Sequence, residues 1–110
     1  MPNSERIQQL LQFHQEEPKD PFVIYALALE YQNTNDQKAL LYFDKLLQDH
    51  PDYLPTYLHA ASYLIDLLED KTKIINIFEK GINLAKQKQD QHALSELQNA
   101  YQNYLIDIDE

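Results

Sequence analysis

The chain contains no cysteine, no tryptophan and a single glycine. Without cysteine there can be no disulfide, no thiol nucleophile and no thiolate metal site. One glycine in 110 residues leaves nothing from which to build a glycine-rich phosphate loop. Valine occurs only at Val23, while Leu, Gln, Ala, Ile and Tyr are plentiful, which favours helices over a sheet. Positive charge is scarce. Nine Lys and Arg stand against 18 Asp and Glu, a formal net charge of −9. That field repels phosphate backbones and no Lys/Arg cluster offsets it, so neither nucleic acid nor an anionic membrane is an expected partner. No apolar run approaches the roughly 18 residues of a membrane span. The opening Met-Pro-Asn-Ser-Glu-Arg-Ile has no apolar run either, so no signal peptide is expected and the chain reads as cytoplasmic. Its length suits one domain with a single core.

What is present, first of all, is a repeat. Pro18 recurs as Pro51 and Ala28 as Ala61, 33 residues on, and Tyr31 maps onto Leu64 in the same register. Phe43 recurs as Phe78 and Lys45 as Lys80, 35 residues on. Offsets that bracket 34 residues point to an array of helical hairpins in which one inner turn has changed length. Hydrophobic spacing predicts a first helix from Ser4 to about Gln15 with Ile7, Leu10, Leu11 and His14 inward, capped by Ser4 or Asn3. Asp20 can cap a second helix, with Pro21 in its first turn, running to about Gln32 with Ile24, Leu27, Ala28 and Tyr31 inward. Asn33-Thr34-Asn35-Asp36 is a polar break in which asparagine could take the left-handed conformation, before a third helix to about Gln48. A further pair begins near Pro55, turns around Glu69-Asp70-Lys71 and runs to about Lys88. Asp90 can cap a last helix to about Leu105, with Leu94, Leu97, Ala100, Tyr101, Tyr104 and Leu105 inward and a frayed end from Asp107 to Glu110.

The spacing Ile24, Leu27, Ala28, Tyr31, then Ala39, Phe43 and Pro51 resembles the tetratricopeptide repeat motif. A second copy gives Tyr57, Ala60, Ala61, Leu64, then Ile74 and Phe78, with Lys86 where the closing proline would stand, so that helix can continue. The resemblance is good over about residues 18–86. It implies an all-α array in a right-handed superhelix: a half repeat over about 4–17, repeats over 18–51 and 52–88, and a capping helix over 90–106. In the half repeat, Leu10, Phe13 and Pro18 fall near motif positions, but Arg6 replaces an alanine. Ala28, Ala61, Ala39 and Gly81 would let paired helices approach closely. Gly81 inside a helix costs about 1 kcal/mol relative to alanine, so close packing is its expected justification. Phe43 and Phe78 would fill the space between successive hairpins.

Signals for chemistry are weak. His14, His50, His59 and His92 lie on different segments without recognisable ligand spacing, so no metal site is expected. His50, before Pro51, suits a helix C-terminus. The acidic pairs Glu16-Glu17 and Glu69-Asp70 suit solvated loops. No nucleophile-elbow or paired-histidine zinc motif occurs, so neither catalysis nor a cofactor is expected. Tyrosine is the unusual residue, at eight copies. Tyr31, Tyr63 and Tyr101 are expected in the core.

The resemblance implies that the first helix of each pair lines a concave groove. Here that face would carry Phe22, Tyr25, Leu29 and Asn33, then Leu58, His59, Ser62 and Asp66, with Ala26 and Pro55 in the same stretches. These stretches hold no lysine or arginine, so a clamp for chaperone carboxylates is not expected. Two functions are open: an adaptor that binds an apolar or basic segment of a partner protein, and a homodimer that pairs through tyrosine-rich faces.

Overall fold

The computed structural model describes residues 4–109, so Asn3 and Glu110 of the expectations above lie outside it. Six helices follow one another and no strand occurs among the described residues. They fall into two compact units that divide between Tyr53 and Leu54.

The first unit holds α1 (Ser4–Glu16), α2 (Pro21–Tyr31) and α3 (Asp36–Asp49). Ser4 is already helical and is not the cap of α1. Glu16 ends that helix and is not a loop residue. The Asp20 carboxylate accepts from the Phe22 amide at 3.0 Å, and Pro21 follows in the first turn, where no amide donor is needed. Asn35 caps α3 by accepting from the Lys38 amide at 3.1 Å, with φ of −154°. The asparagines of this turn therefore do not use left-handed backbone; the cap bond holds Asn35 extended instead. His50 closes α3, its amide donating to the Leu46 carbonyl at 2.8 Å.

α2 packs against both α1 and α3. Ile24, Leu27 and Ala28 are fully buried, as are Ala39 and Leu46 of α3, with Phe43 and Tyr31 nearly so. Val23 and Ala26 are buried too, so α2 has no solvent-facing polar stripe. On α1 only Leu10 is fully buried; Ile7, Leu11 and His14 are half-buried. Arg6, where the next hairpin has Ala39, sends its guanidinium to Glu30 of α2 at 2.7 Å. Phe13 is 53 % exposed, whereas Leu46 and Gly81 at the same register are buried.

The second unit holds α4 (Pro55–Asp66), α5 (Lys71–Lys88) and α6 (Gln91–Ile108). Gly81 is where α4 and α5 meet. A Cβ there would lie 2.6 Å from the Tyr57 Cβ and 3.3 Å from Leu97 Cδ2, so only hydrogen fits. Phe78 is fully buried, stacked on Tyr101 at 5.2 Å and tilted against Tyr104 at 6.1 Å. Asp70 and Asp90 cap α5 and α6 through the Thr72 and Ala93 amides, each at 3.0 Å. α4 has Leu54 at its cap position and no side-chain cap bond, but Pro55 leaves one amide fewer to satisfy.

Three expectations for this unit change. α6 continues past Leu105 to Ile108, and Leu105 is 37 % exposed, at the edge of the stripe that buries Leu97 and Tyr104. Tyr101 is half-buried, because its hydroxyl reaches the Glu79 carboxylate at 3.2 Å; burial and that carboxylate raise its pKa. Left-handed backbone occurs at Leu68 and Gln89, each just past a helix end, although neither is glycine or asparagine.

Candidate functional site

The residues expected on a binding face belong to α2 and the turn after it in the first unit, and to α4 in the second. On α2, Phe22 is 58 % exposed, Tyr25 and Leu29 are half-buried, and Asn33 in the following turn is exposed. Ala26, within the same stretch, is buried and offers a partner nothing. Tyr25 meets Tyr53 edge-on, with ring centroids 5.6 Å apart and planes at 63°. Burial raises the pKa of both phenols, aided at Tyr25 by Tyr53 and at Tyr53 by Asp20. They remain neutral near pH 7 and present apolar rings with hydrogen-bonding tips.

A second aromatic row lies elsewhere in this unit. Tyr42 stacks on Tyr31 at 5.8 Å, His14 meets Tyr42 edge-on at 6.0 Å, and the Lys38 ammonium sits 5.3 Å from the Tyr31 ring centre. Burial, then the Lys45 charge, lowers the His14 pKa from 6.5, and its buried Nδ1 has no hydrogen-bond partner. The imidazole is therefore held neutral, which fits a packing role.

On α4, Leu58 is half-buried and His59, Ser62 and Asp66 are exposed. Leu58 and His59 do not stand alone. With Leu54 and Pro55 they form one wall of a cavity of about 300 Å³. The other wall is the start of α6: Asp90, His92, Ala93, Glu96 and Leu97. That volume lies at the lower edge of the roughly 300–1,000 Å³ of small-ligand sites. Sequence reasoning missed the α6 wall because it treated that helix only as a cap; the Ala93, Leu97 spacing beside two acids was the available signal. Ser62 and Asp66 do not line the cavity. His92 Nε2 lies 3.2 Å from Glu96 Oε1, one turn on. Among the described residues no group of three His, Cys, Asp or Glu is placed to hold a metal ion, and no helix is long and apolar enough to cross a membrane.

Paired helices at this register, with small residues at the contact, have solved counterparts. The crystal structure of a tetratricopeptide repeat domain protein from Salinibacter ruber is 36% identical, covers 76% of this chain and 93% of its own, and superposes with a TM-score of 0.69. The chain belongs to the tetratricopeptide repeat family. A solution NMR structure of a tetratricopeptide repeat domain protein from the same organism is also 36% identical, with a TM-score of 0.71, covering 79% of this chain and 88% of that one. No family model matches the chain. No curated protein matches it either. As a tetratricopeptide repeat protein it has the fold of a protein-interaction scaffold.

Proposed function

We propose that this tetratricopeptide repeat protein is a non-catalytic adaptor that binds an apolar or basic segment of a partner protein. The contacts are the exposed face of α2 with its following turn (Phe22, Tyr25, Leu29, Asn33) and that of α4 (Leu58, His59, Ser62, Asp66). The observation that carries the reading is the cavity beside Leu58. A half-buried apolar side chain on the wall of an open cleft, rimmed by polar groups, has the anatomy of an interface anchor. Tyr25 supplies the corresponding aromatic on α2, and its pairing with Tyr53 pre-orients the ring.

The test is a selection of short peptides on the immobilised protein, followed by titration of the selected peptides into wild type, Leu58→Asp and Tyr25→Asp. A charge at an anchor should abolish binding of the peptides that use its face while helical content is unchanged. Peptides that bind all three proteins equally would remove both faces from the reading. Sedimentation of the free protein addresses the homodimer: a mass of two chains that persists on dilution would favour pairing through the tyrosine-rich faces instead.

A further inference from the structure

The cavity between α4 and α6 has an apolar floor and an acidic rim. Leu54, Leu58, Ala93 and Leu97 make the floor, and Leu97 is only 1 % exposed. Asp90 and Glu96 bring two carboxylates to the lining, and no lysine or arginine is among the residues that line it. One Asp90 oxygen accepts the Ala93 amide, and a carboxylate has a second oxygen to offer. Glu96 is half exposed and lies 3.2 Å from the neighbouring His92.

Two features oppose a cation there. The first turns of α4 and α6 both contribute to the lining, and each helix N-terminus carries roughly half a positive charge. Together the two N-termini amount to about one positive charge, and the two carboxylates of the lining, one of them the α6 cap, outweigh it. His59 and His92 share the rim, but the −9 of the whole chain adds to the negative side. The balance favours a positive group.

We infer that the α4–α6 cavity takes a lysine or arginine side chain of a partner segment whose flanking residues are apolar. The aliphatic stem lies on Leu58 and Leu97 while the charged head stays at the rim between Asp90 and Glu96, as long basic side chains do when they cover apolar surface. Arginine fits best, because its planar fork can pair two N–H donors with a carboxylate while the other carboxylate adds to the negative field. An acidic segment is disfavoured by the same charges. This rests on the reading of α4 as a partner-binding face, and it selects one chemistry within that reading.

Three labelled octapeptides test it. They share the sequence Ala-Ser-Leu-X-Leu-Ser-Ala-Gly, with X as arginine, citrulline or glutamate; citrulline keeps the shape of arginine without its charge. Each is titrated at low salt into isotopically labelled full chain and followed by amide chemical shifts. The arginine peptide should bind about tenfold more tightly than the citrulline peptide, as charge-assisted contacts to two carboxylates allow. The glutamate peptide should bind weakest. In Asp90→Asn/Glu96→Gln, which keeps a competent cap at residue 90, the arginine advantage should shrink to about threefold or less while citrulline binding is unchanged. Equal affinity for arginine and citrulline, both lost in Leu58→Asp, would overturn the inference and leave the adaptor reading standing. Binding that Leu58→Asp leaves intact, or no binding by any of the three, would overturn the inference and remove the cavity from the adaptor reading as well.

Discussion

Tyr25 of α2 and Leu58 of α4 stand at the same place in the repeat, 33 residues apart, yet they have opposite surroundings. In the first unit the space beside Tyr25 is filled by the ring of Tyr53. In the second, the space beside Leu58 is an open cleft walled by α6. The hairpins differ in their inner turns too. The turn between α2 and α3 ends on an asparagine cap, while that between α4 and α5 passes through left-handed Leu68. A repeat therefore transmits its register and, at Ala28 and Ala61, a small contact residue. It does not transmit the chemistry of the outward face, which each unit sets with whatever side chain lies beside that face.

The sharpest way to break this comparison is at the hairpin contacts. Gly81→Leu should lower stability by about 1–3 kcal/mol through overpacking, read as a fall in urea midpoint. Gly81→Ala should also destabilise, even though alanine is the better helix former by about 1 kcal/mol, because the new methyl meets the Tyr57 Cβ. Ala61→Leu, at a fully buried site, should behave like Gly81→Leu. A Gly81→Ala protein as stable as wild type would show that α4 and α5 are not in close contact.

The outward faces come next. Tyr25→Ala removes a ring pair worth about 0.5–1.5 kcal/mol together with half-buried surface, so some loss of stability is expected. Leu58→Ala, beside an existing cleft, should cost less than the roughly 2–5 kcal/mol of a packed leucine. If Leu58→Ala destabilises more than Tyr25→Ala, the cleft is closed in solution.

The turns differ by a smaller amount. Leu68 is 89 % exposed with φ of 56°, so Leu68→Gly should stabilise by about 0.5–1 kcal/mol in thermal melts. Asn33→Gly, in a turn that has no left-handed residue, should gain nothing.

The smallest effect is expected from pH in the first unit. His14 has its pKa lowered from 6.5, first by burial and then by Lys45, so below pH 6.5 the unfolded chain binds more protons than the folded one. Its contribution is complete above that pH and is lost as pH falls through the folded value. The difference in urea midpoint between wild type and His14→Gln should therefore narrow on acidification from pH 7.5 to 5. A constant difference would show that the imidazole titrates normally.

Much of the architecture was legible in the chain. Asp20 and Asp90 were readable as caps because a carboxylate before a helical apolar pattern satisfies free amides whatever the tertiary context. Gly81 was readable as a contact because a helix interior otherwise disfavours glycine, and Lys86 in place of proline correctly left α5 free to run to Lys88. Periodicity identified Leu97 and Tyr104 as buried, but not that Tyr101 would turn toward Glu79. Left-handed Leu68 was invisible, since no local propensity favours leucine there.

The sequence by itself determined helices, register, caps and small contact residues, because these follow from interactions within a few residues or from a repeat read against itself. Only the tertiary structure decided that Tyr53 fills the space beside Tyr25 and that α6 walls a cleft beside Leu58. Those outcomes depend on side chains roughly thirty residues apart meeting across packed helices, and no local pattern encodes such a meeting.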